Sequence, residues 1–139
     1  MTSAPRISDV ASEVWSSLVE VVANNDRKRE VCEQTGLSLG KVKALRRIAE
    51  CPLSMGELAT LLGVDPPNMT TMIDDMQHAR LVQRQVHPTD RRIMLVAITA
   101  TGSKLARKAN DILSRVPESL LVLPVQDLEQ LRRILARVR

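Results

Sequence analysis

Residues 82–102, VQRQVHPTDRRIMLVAITATG, constrain this chain more than any other stretch. Val82-Gln83-Arg84-Gln85-Val86 alternates apolar with polar residues, and Ile93-Met94-Leu95-Val96-Ala97-Ile98 is rich in aliphatic and β-branched side chains, so the two read as paired strands of a hairpin. Their connection, His87-Pro88-Thr89-Asp90-Arg91-Arg92, gives the hairpin a charged tip in which a carboxylate stands close enough to a guanidinium to hold it in one orientation. Guanidinium suits both phosphates and the electronegative minor groove of DNA.

The segment before the hairpin decides how to read it. Ser54 with Glu57 forms a capping box, in which each side chain satisfies a backbone N–H at a helix start. Ala59, Gly63 and Met69 then fall where a helix-turn-helix needs a small residue at the crossing, a turn residue tolerant of positive φ and an apolar anchor. Asp65 can cap the second helix and Pro66 suits its first turn. Met69, Met72, Ile73 and Met76 recur at helical spacing, which leaves Asp74, Asp75 and the small residues of the first turns for other faces. Pro67, Asn68, Thr70 and Thr71 are therefore the candidate DNA-binding positions on this helix: Asn can bond adenine in the major groove and a Thr methyl can touch thymine. Arg84, Asp90, Arg91 and Arg92 are the candidates on the hairpin. A helix-turn-helix followed by a basic hairpin is a winged helix.

On these residues the chain resembles the multiple antibiotic resistance regulator (MarR) family of transcription factors. The likeness is closest over residues 54–102, and the D-x-R of the family's wing falls on Asp90 and Arg92. It implies a homodimer in which Arg92 enters the minor groove, oriented by Asp90, while the helix starting near Pro66 lies in the major groove. Arg80 stands where the family pattern has Gly, so it must either accept a left-handed conformation or change the turn. Thr71 and Asp75 stand where Arg is common, and Asp74 and Asp75 would repel phosphates if they faced DNA. Some members sense oxidants through a cysteine near the chain start, and many are released from DNA by lipophilic anions.

Outside residues 54–102 the chain offers amphipathic helices. Ile7, Val10, Ala11, Val14, Trp15, Leu18 and Val22 make one apolar stripe, Leu105 to Val116 a second that stops at Pro117, and Leu128 to Val138 a third. Two further helices are expected over residues 26–34 and 41–51, with residues 36–40 as the loop between them. The expected fold class is mainly α with a small β-hairpin wing. It forms one domain over residues 1–139, with dimerisation helices in 1–34 and 103–139 and a winged-helix DNA-binding lobe in 41–102.

The formal charge of +4 fits nucleic-acid binding without establishing it. Arg27, Lys28, Arg29, Lys41, Lys43, Arg46 and Arg47 form one basic zone, readable as solvated helix faces or as a second basic surface; Asp9, Glu13 and Glu20 make the first helix acidic. No apolar run approaches the roughly 20 residues that span a bilayer, and the N-terminus shows no signal-peptide pattern, so a cytoplasmic protein with no membrane partner is expected. The two histidines lie in no triad or metal cluster and there is no glycine-rich phosphate loop, so neither an enzyme, a metal nor a cofactor is expected. Cys51, beside Pro52, reads as a packing residue. Cys32 follows the basic run 27–29 and is the candidate redox residue. With aromatics at 1% of the chain, any effector pocket must be aliphatic, and Trp15 is its candidate residue. The expected function is a sequence-specific DNA-binding regulator, a repressor that holds a palindromic operator as a homodimer and is released by a small lipophilic ligand. The alternative is a winged-helix protein-interaction module whose wing charges meet an acidic partner.

Overall fold

In the computed structural model, which describes residues 4–139, the chain divides into two units. One is a lobe from Arg27 to Ser114; the other comprises the terminal segments through Asp26 and from Arg115 onward.

The lobe contains α2 (Lys28–Thr35), α3 (Leu39–Glu50), β1 (Leu53–Ser54), α4 (Met55–Leu62), α5 (Pro66–His78), β2 (Val82–Val86), β3 (Met94–Ile98) and α6 (Ala100–Leu113). The three strands form an antiparallel sheet in the order β1-β3-β2, with Arg84 opposite Val96 and Leu53 opposite Val96 on the other side. β1 is absent from the sequence expectation because two residues are too few to show alternation. Ile93, expected to begin the second strand, instead closes the wing tip, its carbonyl accepting from His87 N at 2.9 Å. Leu39 and Gly40, expected in a loop, open α3, because Ser38 caps that helix and accepts from Lys41 N.

Apolar side chains from every layer meet in one cluster. Leu45 and Ile48 of α3, Leu58 and Ala59 of α4, and Met69, Ile73 and Met76 of α5 pack with Leu81 and with Val82 and Val96 of the sheet. A second cluster joins Val31 of α2, Val42 of α3, and Ala109 and Ile112 of α6. For that reason α2 and α6, grouped from the sequence wholly or partly with the terminal helices, pack within the lobe.

The terminal unit contains α1 (Ile7–Asn24), α7 (Glu118–Leu121) and α8 (Val125–Ala136). None of these helices has a buried residue. Their apolar stripes are left open: Val14 is 54% exposed, Trp15 68% and Val125 68%. Among the described residues no helix is long and apolar enough to cross a membrane.

Two helix ends in the lobe close in the same way with different residues. At the end of α4, Val64 N donates to Ala59 O and Gly63 N to Thr60 O, with Gly63 at φ 63°. At the end of α5, Leu81 N donates to Met76 O and Arg80 N to Gln77 O, both at 2.9 Å, with Arg80 at φ 61°. This is the Schellman pattern, whose left-handed residue is usually glycine because a Cβ there costs about 1–2 kcal/mol. Arg80 thus takes the left-handed alternative. Beyond it Thr99 Oγ1 donates to Arg80 O at 2.7 Å and accepts from Gly102 N at 3.0 Å, so one hydroxyl ties the helix exit to the start of α6. A Cβ on Gly102 would overlap the Leu81 carbonyl oxygen, which explains the glycine at that close approach. Arg80→Gly should relieve the left-handed strain and, after the larger entropy of an unfolded glycine, raise stability by about 0.5–1 kcal/mol in urea unfolding. A destabilised variant would show that the Arg80 side chain contributes more than its backbone costs.

Candidate nucleic-acid interface

The helix-turn-helix is α4 and α5. Ser54 Oγ accepts from Glu57 N at 3.2 Å and Glu57 Oε2 from Ser54 N at 2.8 Å, so the capping box that starts α4 is complete. Asp65 caps α5, accepting from Asn68 N at 3.3 Å, and Pro66 occupies its first turn. Met69, Ile73 and Met76 are fully buried, which turns the rest of α5 outward.

Pro67, Asn68, Thr70 and Thr71 are all exposed. Their hydrogen-bonding groups are engaged locally: Asn68 Nδ2 donates to Asp65 Oδ1 at 2.5 Å, Thr70 Oγ1 to Pro66 O at 3.0 Å and Thr71 Oγ1 to Pro67 O at 3.2 Å. Each Thr hydroxyl that satisfies its own helix carbonyl holds its methyl in a fixed direction and still has lone pairs to offer.

The wing tip is organised around two side chains. Arg92 grips Asp90 with a fork, Nε to Oδ1 and Nη2 to Oδ2 at 3.1 Å each, and its backbone N–H donates to Oδ1 at 3.1 Å. Arg92 remains 89% exposed, against 30% for Asp90. An exposed pair of this kind adds little to stability, so what it supplies is direction for a guanidinium that would otherwise sample many rotamers. Arg91 is exposed beside it.

His87 is half-buried and holds the turn: Nδ1 accepts from Thr89 N and Asp90 N at 3.2 Å each. Two N–H donors aimed at one ring nitrogen require that nitrogen to carry no proton. The signal was present, since side-chain acceptors at the first position of a turn before proline are common for Asn and Asp and here the imidazole takes their place.

Arg84 lies between the wing and α5. Nη2 meets Asp74 Oδ1 and Nη1 meets Gln77 Oε1, both at 2.6 Å. Asp75, the neighbouring acid of α5, pairs with Lys41 Nζ at 3.1 Å. Several cations of the first basic zone are also engaged: Arg29 with Glu33, Arg47 with Glu50, and Arg46 Nε with Asn110 Oδ1 at 2.6 Å. Cys32 is half-buried against the second cluster, whereas Cys51, expected to pack, is exposed because the backbone at the end of α3 turns extended. Trp15 lies in the terminal unit. Among the described residues no group of acidic, His and Cys side chains could hold a metal ion.

The Arg92 side chain, and then its backbone N–H, hold the Asp90 carboxyl below the usual aspartate range, and the same contact raises Arg92. The folded value is the depressed one, so the fork is intact above the ordinary aspartate range and is lost only as pH falls through the lower folded value. A carbon-detected NMR titration should find the Asp90 midpoint below that of a free aspartate, and Arg92→Ala should return it upward. An Asp90 midpoint that is ordinary in the wild type would mean the fork is not populated in solution.

Residues 37–94 match the sequence model of the MarR family. An uncharacterised HTH-type transcriptional regulator of Mycobacterium leprae is 35% identical over 77 residues, which cover 55% of this chain and 54% of that protein. The chain thus spans about half the length of the curated relatives it matches. Among solved structures, RV1404 from Mycobacterium tuberculosis has a TM-score of 0.73 at 22% identity, covering 97% of this chain and 93% of its own. A variant of S. aureus MepR bound to an oligodeoxyribonucleotide has a TM-score of 0.65 at 20% identity, covering 92% and 94%. At these identities the structural likeness is one of fold.

Proposed function

We propose that this chain is a MarR-family DNA-binding transcriptional regulator rather than an enzyme, and that it represses by holding a palindromic operator as a homodimer; the match of residues 37–94 to that family's model and the 35% identity to an HTH-type regulator support the reading. The observation that carries the reading is the Asp90–Arg92 fork, an almost fully exposed guanidinium aimed by a carboxylate at the end of the hairpin that follows α5. Arg92 and Arg91 enter or flank the minor groove. Asn68, Thr70 and Thr71, with Pro67 against the backbone, meet base edges in the major groove. The MepR variant supports this reading because it has the same fold and was solved with DNA.

The homodimer is supported by the terminal helices. Exposed apolar stripes on α1, α7 and α8 exceed what a soluble monomer leaves in water, and a second copy of the same stripes is the natural cover. A palindromic site follows, since a two-fold protein meets two equivalent half-sites. Release by a lipophilic anion would require tighter binding to one arrangement of the paired lobes than to another. Trp15 is the candidate ligand contact for it, and as the single tryptophan it gives a local fluorescence report of an effector bound beside it. Oxidation of Cys32 is the other route of release.

The test is retardation of duplexes from the gene's own upstream region. The wild type should select one duplex over scrambled DNA, and Arg92→Ala should weaken that binding about tenfold, roughly 1.4 kcal/mol, while sedimentation still reports a dimer at micromolar concentration. Substitution of Asn68 or Thr71 should instead alter sequence preference. Salt-sensitive binding without preference for any duplex would favour the protein-interaction module, and a stable monomer would remove the two-fold reading.

A further inference from the structure

α5 carries two adjacent, partly exposed carboxylates, Asp74 and Asp75. Each is met by a cation from a different element. Arg84 of β2 reaches Asp74 at 2.6 Å with one arm and Gln77 with the other, and Lys41 of α3 reaches Asp75 at 3.1 Å. The two cations are mostly covered, with side-chain exposures of 24% for Arg84 and 28% for Lys41, while the two acids are about half exposed, 53% and 55%. A covered cation in a short contact is not free to swing to a phosphate. The opening turn of α3 also approaches α5 closely, since a Cβ on Gly40 would stand 3.2 Å from Met72 Cε.

We propose that Arg84 and Lys41 are positioning residues that act through Asp74 and Asp75, cancelling their charge on the helix that meets DNA, rather than phosphate contacts in their own right. The inference rests on the reading that α5 enters the major groove. Ion pairs this exposed contribute little to folding stability, so the consequence of losing one is felt when DNA approaches: an uncompensated carboxylate is left on the reading helix.

The experiment is a salt series of operator retardation with the full-length wild type, Arg84→Gln, Asp74→Asn and the double variant. Arg84→Gln keeps the length and polar head of the side chain and removes its charge. Expected is a loss of about tenfold in affinity for Arg84→Gln, with a shallower log–log salt slope because salt screens the carboxylate left uncompensated. Adding Asp74→Asn should restore affinity to within about threefold of wild type and return the slope. The same rescue is expected for Lys41→Gln with Asp75→Asn. A purely structural role would lower affinity without moving the slope. If Arg84 contacted a phosphate directly, Asp74→Asn would not rescue it; a double variant as weak as Arg84→Gln, or an Arg84→Gln that binds like wild type, overturns the proposal while leaving the groove reading intact. A wild type that selects no duplex overturns both.

Discussion

Burial of one face of α5 is the constraint on which the rest of the lobe depends. Met69, Ile73 and Met76 have essentially no solvent exposure, and truncating any of them to Ala would leave a cavity costing about 2–5 kcal/mol. Once that stripe is committed to the core, the helix has little freedom to rotate, and its polar residues face outward as a consequence. Asn68, Thr70 and Thr71 are exposed because of where the methionines go.

The wing is coupled to the same helix through its C-terminal exit. Leu81 is both the residue that closes α5, donating to Met76 O, and an acceptor for Thr99 N at 3.0 Å, so the strand pair hangs from the helix end by hydrogen bonds on both sides. Arg84 adds a side-chain link from β2 to Asp74 and Gln77. Helix and wing are thus held as one surface that carries the exposed polar residues of α5 and a directed guanidinium. Two elements held in fixed relation can read adjacent grooves together, which independent elements could do only at a cost in ordering entropy.

Much of this was legible in the sequence because its signals are short-range. The Ser54–Glu57 box, the Asp65 cap, the left-handed Gly63 and the alternation of residues 82–86 each act within a few residues, and each appears in the structure as expected. What was not legible is long-range or very short. β1 has two residues and α7 four, too few for a period. The pairing of Lys41 with Asp75 joins separate helices and leaves no mark in either segment. Arg80 shows an intermediate case: the missing glycine was visible and left two outcomes open, and the hydrogen bonds from Leu81 and Thr99 hold the left-handed one. Arg84 is a candidate on the hairpin by sequence, and its contacts with Asp74 and Gln77 cross from β2 to α5, a pairing that the strand pattern does not show.

The central claim is that α5 and the wing tip form one DNA-reading surface. Amide-resolved NMR of the full chain, titrated with a duplex it selects from random DNA, tests it most directly. The expected result is that the largest shift changes fall on residues 66–71 and 87–92 together, at the same duplex concentration. Changes confined to the other elements, with those two segments silent, would contradict it.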